Sequence, residues 1–156
     1  MSHQRIEYKD ASPEAFKALL NTEMQVHKSG LEESLIELVK MRASQINGCA
    51  YCLDMHSKDA IAQGESTTRL FVLSAWREAA HLYTERERAA LAWTEAVTRI
   101  ADGGVADEVY AEARKHFDEK GLVDLTLAVI AINGWNRMAI AFHSRAGDYV
   151  SPHGRK

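Results

Sequence analysis

The two cysteines of the chain, Cys49 and Cys52, lie three residues apart, and His56 follows one helical turn after the second. In a helix, positions i, i+3 and i+7 share one face, so these three side chains form a single stripe. A helix N-terminus, a nearby histidine and a Cys-x-x-Cys partner each lower the pKa of a thiol from its usual value of about 8.5. The spacing therefore predicts redox chemistry, in which the two sulfurs alternate between dithiol and disulfide.

The residues alone leave open which thiol reacts first. The partial positive charge at a helix N-terminus favours Cys49, whereas proximity to the base His56 favours Cys52. Two interpretations without redox chemistry also stay open. One is a pair of buried, inert cysteines that pack a helix, and the other is an open zinc site with Cys49, Cys52 and His56 as three ligands. Because no motif supplies a fourth zinc ligand, we predict neither a metal nor a cofactor.

Hydrophobic spacing and capping signals predict that the motif lies within an all-α chain. A length of 156 residues, 46% of them hydrophobic, suits one domain over residues 1–156. We place a core redox motif at residues 37–64 and a loose tail at residues 147–156. The predicted helices cover, approximately, residues 13–27, 31–45, 49–64, 67–78, 85–101, 106–119 and 122–145.

Charge and hydropathy exclude several classes of function. The net charge is −3 and the charged residues are interspersed, so no basic stripe indicates a nucleic-acid partner. The N-terminal residues 1–7 are charged where a signal peptide is apolar, which predicts a cytoplasmic protein with reduced cysteines. The apolar stretch from Leu122 to Phe142 is interrupted by Asp124, Asn133 and Arg137. We therefore predict a buried helix and no membrane partner.

The stretch from Glu37 to Gly64 resembles the core of the AhpD-like alkylhydroperoxidases, which belong to the carboxymuconolactone decarboxylase superfamily. The resemblance lies in Glu37, twelve positions before Cys49, followed by the spacing Cys49-x-x-Cys52-x-x-x-His56. The flanking helices fit the all-helical fold of that family more loosely. The resemblance implies a compact AhpD-like domain of about six or seven helices.

The resemblance also implies a function, the reduction of hydroperoxides by a thiol-dependent peroxidase. In this family pattern Cys52 becomes the sulfenic acid, Cys49 closes the redox-active disulfide, and Glu37 with His56 forms a proton relay. The implied partners are a hydroperoxide substrate, an unidentified thiol or protein reductant, and other copies of the chain in a homotrimer or homohexamer. Two alternatives stay open: a disulfide oxidoreductase without peroxidase specificity, and a non-catalytic redox-sensing oligomer.

Two residues qualify this assignment. On spacing alone, Glu37 would be an exposed helix carboxylate or a partner of Lys40. Tyr51 stands between the cysteines, where the best-known members of the family carry a second histidine. A phenol with a pKa of about 10 donates hydrogen bonds but is a poor general base at neutral pH. The substitution predicts a weaker relay or a different substrate.

Overall fold

The computed structural model describes residues 3–154 of the chain, and this part contains α-helices and no strand. The predicted all-α class is confirmed. Within these residues there are eight α-helices, one more than the seven predicted. The additional helix is the four-residue α1. The eight helices are α1 (Tyr8–Ala11), α2 (Pro13–His27), α3 (Glu33–Asn47), α4 (Ala50–Ala62), α5 (Thr67–Val72), α6 (Glu85–Thr98), α7 (Asp107–His116) and α8 (Glu119–Phe142).

Local capping chemistry sets several helix boundaries. The predicted capping box of α6 is confirmed, since the Thr84 hydroxyl accepts from the Glu87 amide at 3.2 Å and the Glu87 carboxylate accepts from the Thr84 amide at 2.8 Å. The helix predicted for residues 67–78 ends instead at Val72, and short 3₁₀ turns continue the chain. α8 begins earlier than predicted because Asp118 caps it, accepting from the Gly121 amide at 2.7 Å.

α3 is the central helix of the protein and packs against α4, α6 and α8. Every residue from Leu35 to Ser44 is buried, so α3 has no solvent-facing side over this length. Three of these buried residues carry ionisable side chains, namely Glu37, Lys40 and Arg42. Because burial of an unpaired charge is strongly unfavourable, each of the three requires a partner on a neighbouring helix.

α8 has the length and mean hydropathy, 1.3, of a helix that crosses a membrane. It nevertheless packs against α2, α3 and α6, and Ile132 is fully buried. Asn136 is also fully buried, where its amide group donates to Ser44 at 3.0 Å and accepts from Asn47 at 2.8 Å. These contacts are those of a core helix, in which buried polar groups are hydrogen-bonded.

The tail predicted to be loose makes specific contacts in its described part. The Gly147 amide donates to Asp54 at 2.9 Å, and Lys58 donates to the Tyr149 carbonyl at 2.9 Å. The Tyr149 hydroxyl donates to Asp59 at 2.9 Å. The three partners in α4 are about 90 positions away along the chain, so no local sequence signal indicates these contacts. Residues 155 and 156 of the predicted tail, and residues 1 and 2 of the charged N-terminus, lie outside the described residues.

Candidate active site

The cysteine motif lies where α3 ends and α4 begins. Gly48 ends α3 in the left-handed conformation, with φ at 71°, which favours glycine because a side chain would be strained there. Cys49 is the N-cap of α4, and its Sγ accepts a hydrogen bond from the Cys52 amide at 3.3 Å. The turn therefore brings both cysteines to the positive end of the helix dipole.

Cys49 and Cys52 are joined by a disulfide, with their Cα atoms 5.3 Å apart. Their exposed fractions are only 1% and 2%, so a reactant has to enter a cavity to reach either sulfur. In the described part of the chain, no group of three or more His, Cys, Asp or Glu side chains is arranged to hold a metal ion. Because the two sulfur atoms are bonded to each other, the cysteine pair is in its oxidised, disulfide state.

Glu37 of α3 contacts His56 of α4, with 2.9 Å between the carboxylate Oε2 and the imidazole Nδ1. Both side chains are buried, at 4% and 5% exposure. The carboxylate fixes the orientation of the ring and directs Nε2 away from itself. The expectation that Glu37 is exposed or paired with Lys40 is wrong, because its carboxylate bonds to His56. A buried carboxylate and imidazole in contact can accept and return a proton.

The pair and Cys52 line a common pocket of about 710 Å³. Cys49 is not among the lining residues, so Cys52 is the cysteine of the pair that borders this pocket. Much of the remaining wall is apolar or aromatic, formed by Tyr8, Phe16, Leu20, Met55, Trp135 and Ala139. A volume of this size, with a few polar groups converging on it, is typical of a small-molecule site.

A network of charged side chains forms another wall of the same pocket. Lys40, 1% exposed, donates to Glu23, whose carboxylate also contacts His27 at 3.0 Å. His27 in turn contacts Glu33 at 2.9 Å. Burial raises the pKa of Glu23, but its interactions with Lys40, followed by those with His27 and His56, outweigh this effect, so the pKa lies below its ordinary value. Glu23 therefore carries the negative charge that neutralises the buried lysine.

Replacing Lys40 with methionine is expected to lower the free energy of unfolding at pH 7 by about 3 kcal/mol, since Glu23 loses the cation that compensates its burial. In the wild-type chain, ionised Glu23 stabilises the fold above its ordinary pKa of 4.5, and this contribution is lost as the pH falls through the lower folded-state value. The variant lacks this contribution. The difference between the two proteins should therefore narrow below pH 4.5.

Urea unfolding of both proteins at pH 7 and pH 4 measures this difference. Lys115→Met is the matched control, because Lys115 forms an exposed ion pair with Glu112 on α7. It should leave stability almost unchanged. A deficit in Lys40→Met that is the same at both pH values would contradict the assigned role of Glu23.

Two tyrosines lie close to the Glu37–His56 pair. Burial, together with neighbouring Tyr8, Glu7 and Asp54, raises the pKa of Tyr51, so its phenol stays protonated at neutral pH. Burial and the hydrogen bond to Asp59 raise the pKa of Tyr149 further. Asp59 lies one turn after His56 and lines the pocket. Neither Asp59 nor Tyr149 was predicted as a site residue, and the contact between them has no sequence signal.

The fold and the site together define a class of protein: an all-α domain in which a Cys-x-x-Cys opens one helix beside a buried Glu–His pair. The model of the carboxymuconolactone decarboxylase family matches residues 13–96, more than half of the chain. The protein belongs to this family. The uncharacterized protein YdfG of Bacillus subtilis is 42% identical over 143 residues, which cover 92% of this chain and 97% of YdfG.

Solved structures share the fold. ATU0492 from Agrobacterium tumefaciens, a protein of unknown function described as a candidate antioxidant defence protein AhpD, has a TM-score of 0.90 and 47% identity, covering 94% of this chain and all of that one. A peroxidase-related protein from Ralstonia eutropha with an alkylhydroperoxidase AhpD core has a TM-score of 0.78 at 20% identity, covering 90% and 74% of the two chains. The predicted AhpD-like fold is confirmed.

Proposed function

We propose that the protein is a thiol-dependent peroxidase that reduces organic hydroperoxides. The observation that carries this proposal is that Cys52, one sulfur of a buried redox pair, lines a large and mainly apolar pocket together with Glu37 and His56. The apolar wall favours an organic hydroperoxide over hydrogen peroxide, because burial of an alkyl or aryl group contributes to binding. The family membership and the AhpD-like relatives support the same assignment.

The reaction begins with the reduced dithiol. His56, held by Glu37, takes the proton of Cys52, and the thiolate attacks the terminal oxygen of the hydroperoxide. The S–O bond forms as the O–O bond breaks, and the alkoxide leaves as an alcohol with the proton from His56. Cys49 then attacks the sulfenic acid of Cys52, which forms the disulfide and releases water. Two electrons pass from the dithiol to the hydroperoxide, and a thiol or protein reductant must return them.

The assembly and the compartment are part of the proposal. We infer a homotrimer or homohexamer, for which the exposed apolar residues Val123 and Ile130 on α8 offer a contact surface. They lie seven positions apart and so share one face of the helix. We place the protein in the cytoplasm, where thiols are kept reduced and a disulfide forms during turnover.

Alkylation of free thiols followed by intact-mass measurement tests the proposal. Pre-reduced protein is exposed for seconds to an equimolar organic hydroperoxide, such as cumene hydroperoxide, and then alkylated. We expect neither cysteine to be alkylated. The mass should be lower by two hydrogens than that of the reduced, unalkylated protein, as formation of the Cys49–Cys52 disulfide requires. An untreated reduced sample is the control and should carry two alkyl groups.

The outcome also separates the two alternatives. If both thiols stay alkylatable with the hydroperoxide but oxidise with a protein or small-molecule disulfide, the protein is a disulfide oxidoreductase instead. If the hydroperoxide oxidises the pair once and a dithiol reductant gives no further consumption, the pair is a sensor and the peroxidase proposal is wrong.

A further inference from the structure

A second cavity, of about 330 Å³, also borders the cysteine pair. It is lined by residues 48–51 at the α3–α4 junction and by residues 139, 140 and 143–146 at the end of α8. Cys49 lines this cavity and Cys52 does not, whereas Cys52 alone lines the larger pocket. The two cysteines of the one disulfide therefore border different cavities.

Tyr51 and Ala139 line both cavities and so form the partition between them. Tyr51 is the residue that stands between the cysteines in place of the family's histidine. A molecule bound in the second cavity consequently meets Cys49 without entering the pocket that contains Glu37 and His56.

Disulfide reduction requires a definite direction of attack. A thiolate attacks one sulfur along the S–S axis, from the side opposite the sulfur that leaves. A thiolate that attacks Cys49 must therefore approach from the side away from Cys52, and the second cavity is the one that Cys49 lines and Cys52 does not. Cys52 is then the leaving sulfur, and it is released towards the pocket in which His56 can protonate it.

We propose that the second cavity is the binding site for the thiol that reduces the disulfide, and that this thiol attacks Cys49. The inference rests on the proposed function only in assuming that the disulfide is turned over. A volume of about 330 Å³ fits a small dithiol rather than the flat surface of a protein partner. Arg145 also lines the cavity, and its guanidinium lies 3.7 Å from the exposed Asp148 carboxylate. Because the guanidinium itself is largely exposed, it can still attract the anionic thiolate that is the reactive form of the reductant.

A small dithiol reduces the disulfide in two successive thiol–disulfide exchanges. Its first thiolate forms a mixed disulfide with Cys49 as the Cys49–Cys52 bond breaks, and Cys52 takes a proton. The second thiol of the reductant then attacks the reductant's own sulfur in the mixed disulfide, so that Cys49 leaves as a thiolate and is protonated. The reductant ends as a cyclic disulfide, and both cysteines of the protein are reduced.

Mapping of the mixed disulfide identifies the sulfur that is attacked. Protein oxidised with diamide, which needs no peroxidase activity, is mixed briefly with excess 2-mercaptoethanol, quenched with acid and alkylated. Peptide mass spectrometry should show the mercaptoethanol adduct on Cys49 and the alkyl group on Cys52. An adduct on Cys52 would overturn the proposal while leaving the peroxidase assignment intact, since the two tests use different half-reactions.

Two matched substitutions test the separate entrances. Ile140 lines the second cavity and is 42% exposed, and Leu20 lines the larger pocket and is 40% exposed, so tryptophan at either position fills a cavity without entering the core. Ile140→Trp should slow reduction by dithiothreitol about tenfold or more and leave oxidation by cumene hydroperoxide unchanged. Leu20→Trp should slow oxidation by cumene hydroperoxide and leave reduction by dithiothreitol unchanged. Reduction that is unaffected by Ile140→Trp, or that is slowed by Leu20→Trp, would contradict the proposal, provided that circular dichroism shows both variants folded.

Discussion

Cys52→Ser is expected to abolish the consumption of organic hydroperoxide, lowering the rate by at least about 10⁴-fold. The serine hydroxyl is not a thiolate at neutral pH and does not form a sulfenic acid, so Glu37 and His56 are left without a nucleophile to activate. Loss of cumene hydroperoxide, followed in the presence of excess dithiothreitol, measures the rate. The substitution is small and conserves volume at a buried position, so circular dichroism should show the wild-type fold.

Cys49→Ser is the matched control, because it removes the other sulfur of the same pair. With the reductant removed, this variant should consume one equivalent of hydroperoxide and then stop at a sulfenic acid on Cys52, which dimedone traps as a defined mass increase on that peptide. If instead Cys49→Ser is inactive and Cys52→Ser carries the sulfenic acid, the roles of the two cysteines are exchanged. That result would mean that the partial positive charge at the helix N-terminus, where Cys49 lies, determines which thiol reacts first more than access to the substrate pocket does.

Local features of the chain were predictable because their causes are local. The capping box at Thr84, the proline at the start of α2 and the glycine after α3 each act within one helical turn. The placement of Cys49 at the N-cap of α4 follows from the same signals. Where several weak signals compete, as between Thr67 and Glu78, the chain forms short 3₁₀ turns that the spacing of apolar residues does not indicate.

Contacts between helices were predictable only in part. Glu37 and Lys40 lie one turn apart on α3, so their spacing predicts an ion pair between them. In the structure each side chain instead bonds to a partner on another helix. The resemblance supplied the contact of Glu37 with His56, since the family pattern retains both residues. It supplied nothing for Glu23, which neutralises Lys40 from α2, because that contact depends on the packing of two helices. The two pockets, one lined by Cys52 and the other by Cys49, are likewise a product of packing.

Glu37→Gln is expected to slow oxidation of Cys52 by about 10² to 10⁴-fold, if the carboxylate holds His56 for proton transfer as proposed. Glutamine has nearly the same shape but carries no charge, so it orients the imidazole without stabilising its protonated form. The measurement is single-turnover oxidation of the reduced protein by excess cumene hydroperoxide. Disulfide formation is then followed by quenching with an alkylating reagent and counting the free thiols by mass.

Glu95→Gln separates loss of the relay from loss of a buried charge. Glu95 is also a buried carboxylate, accepting from Arg42 at 2.7 Å and from Trp76 at 2.9 Å, but it does not line either cavity next to the disulfide. Its substitution should lower the thermal midpoint and leave the oxidation rate unchanged. If Glu37→Gln behaves in the same way, Glu37 stabilises the helix pair and takes no part in proton transfer. A slowed rate in Glu37→Gln alone assigns the proton relay to the carboxylate beside His56.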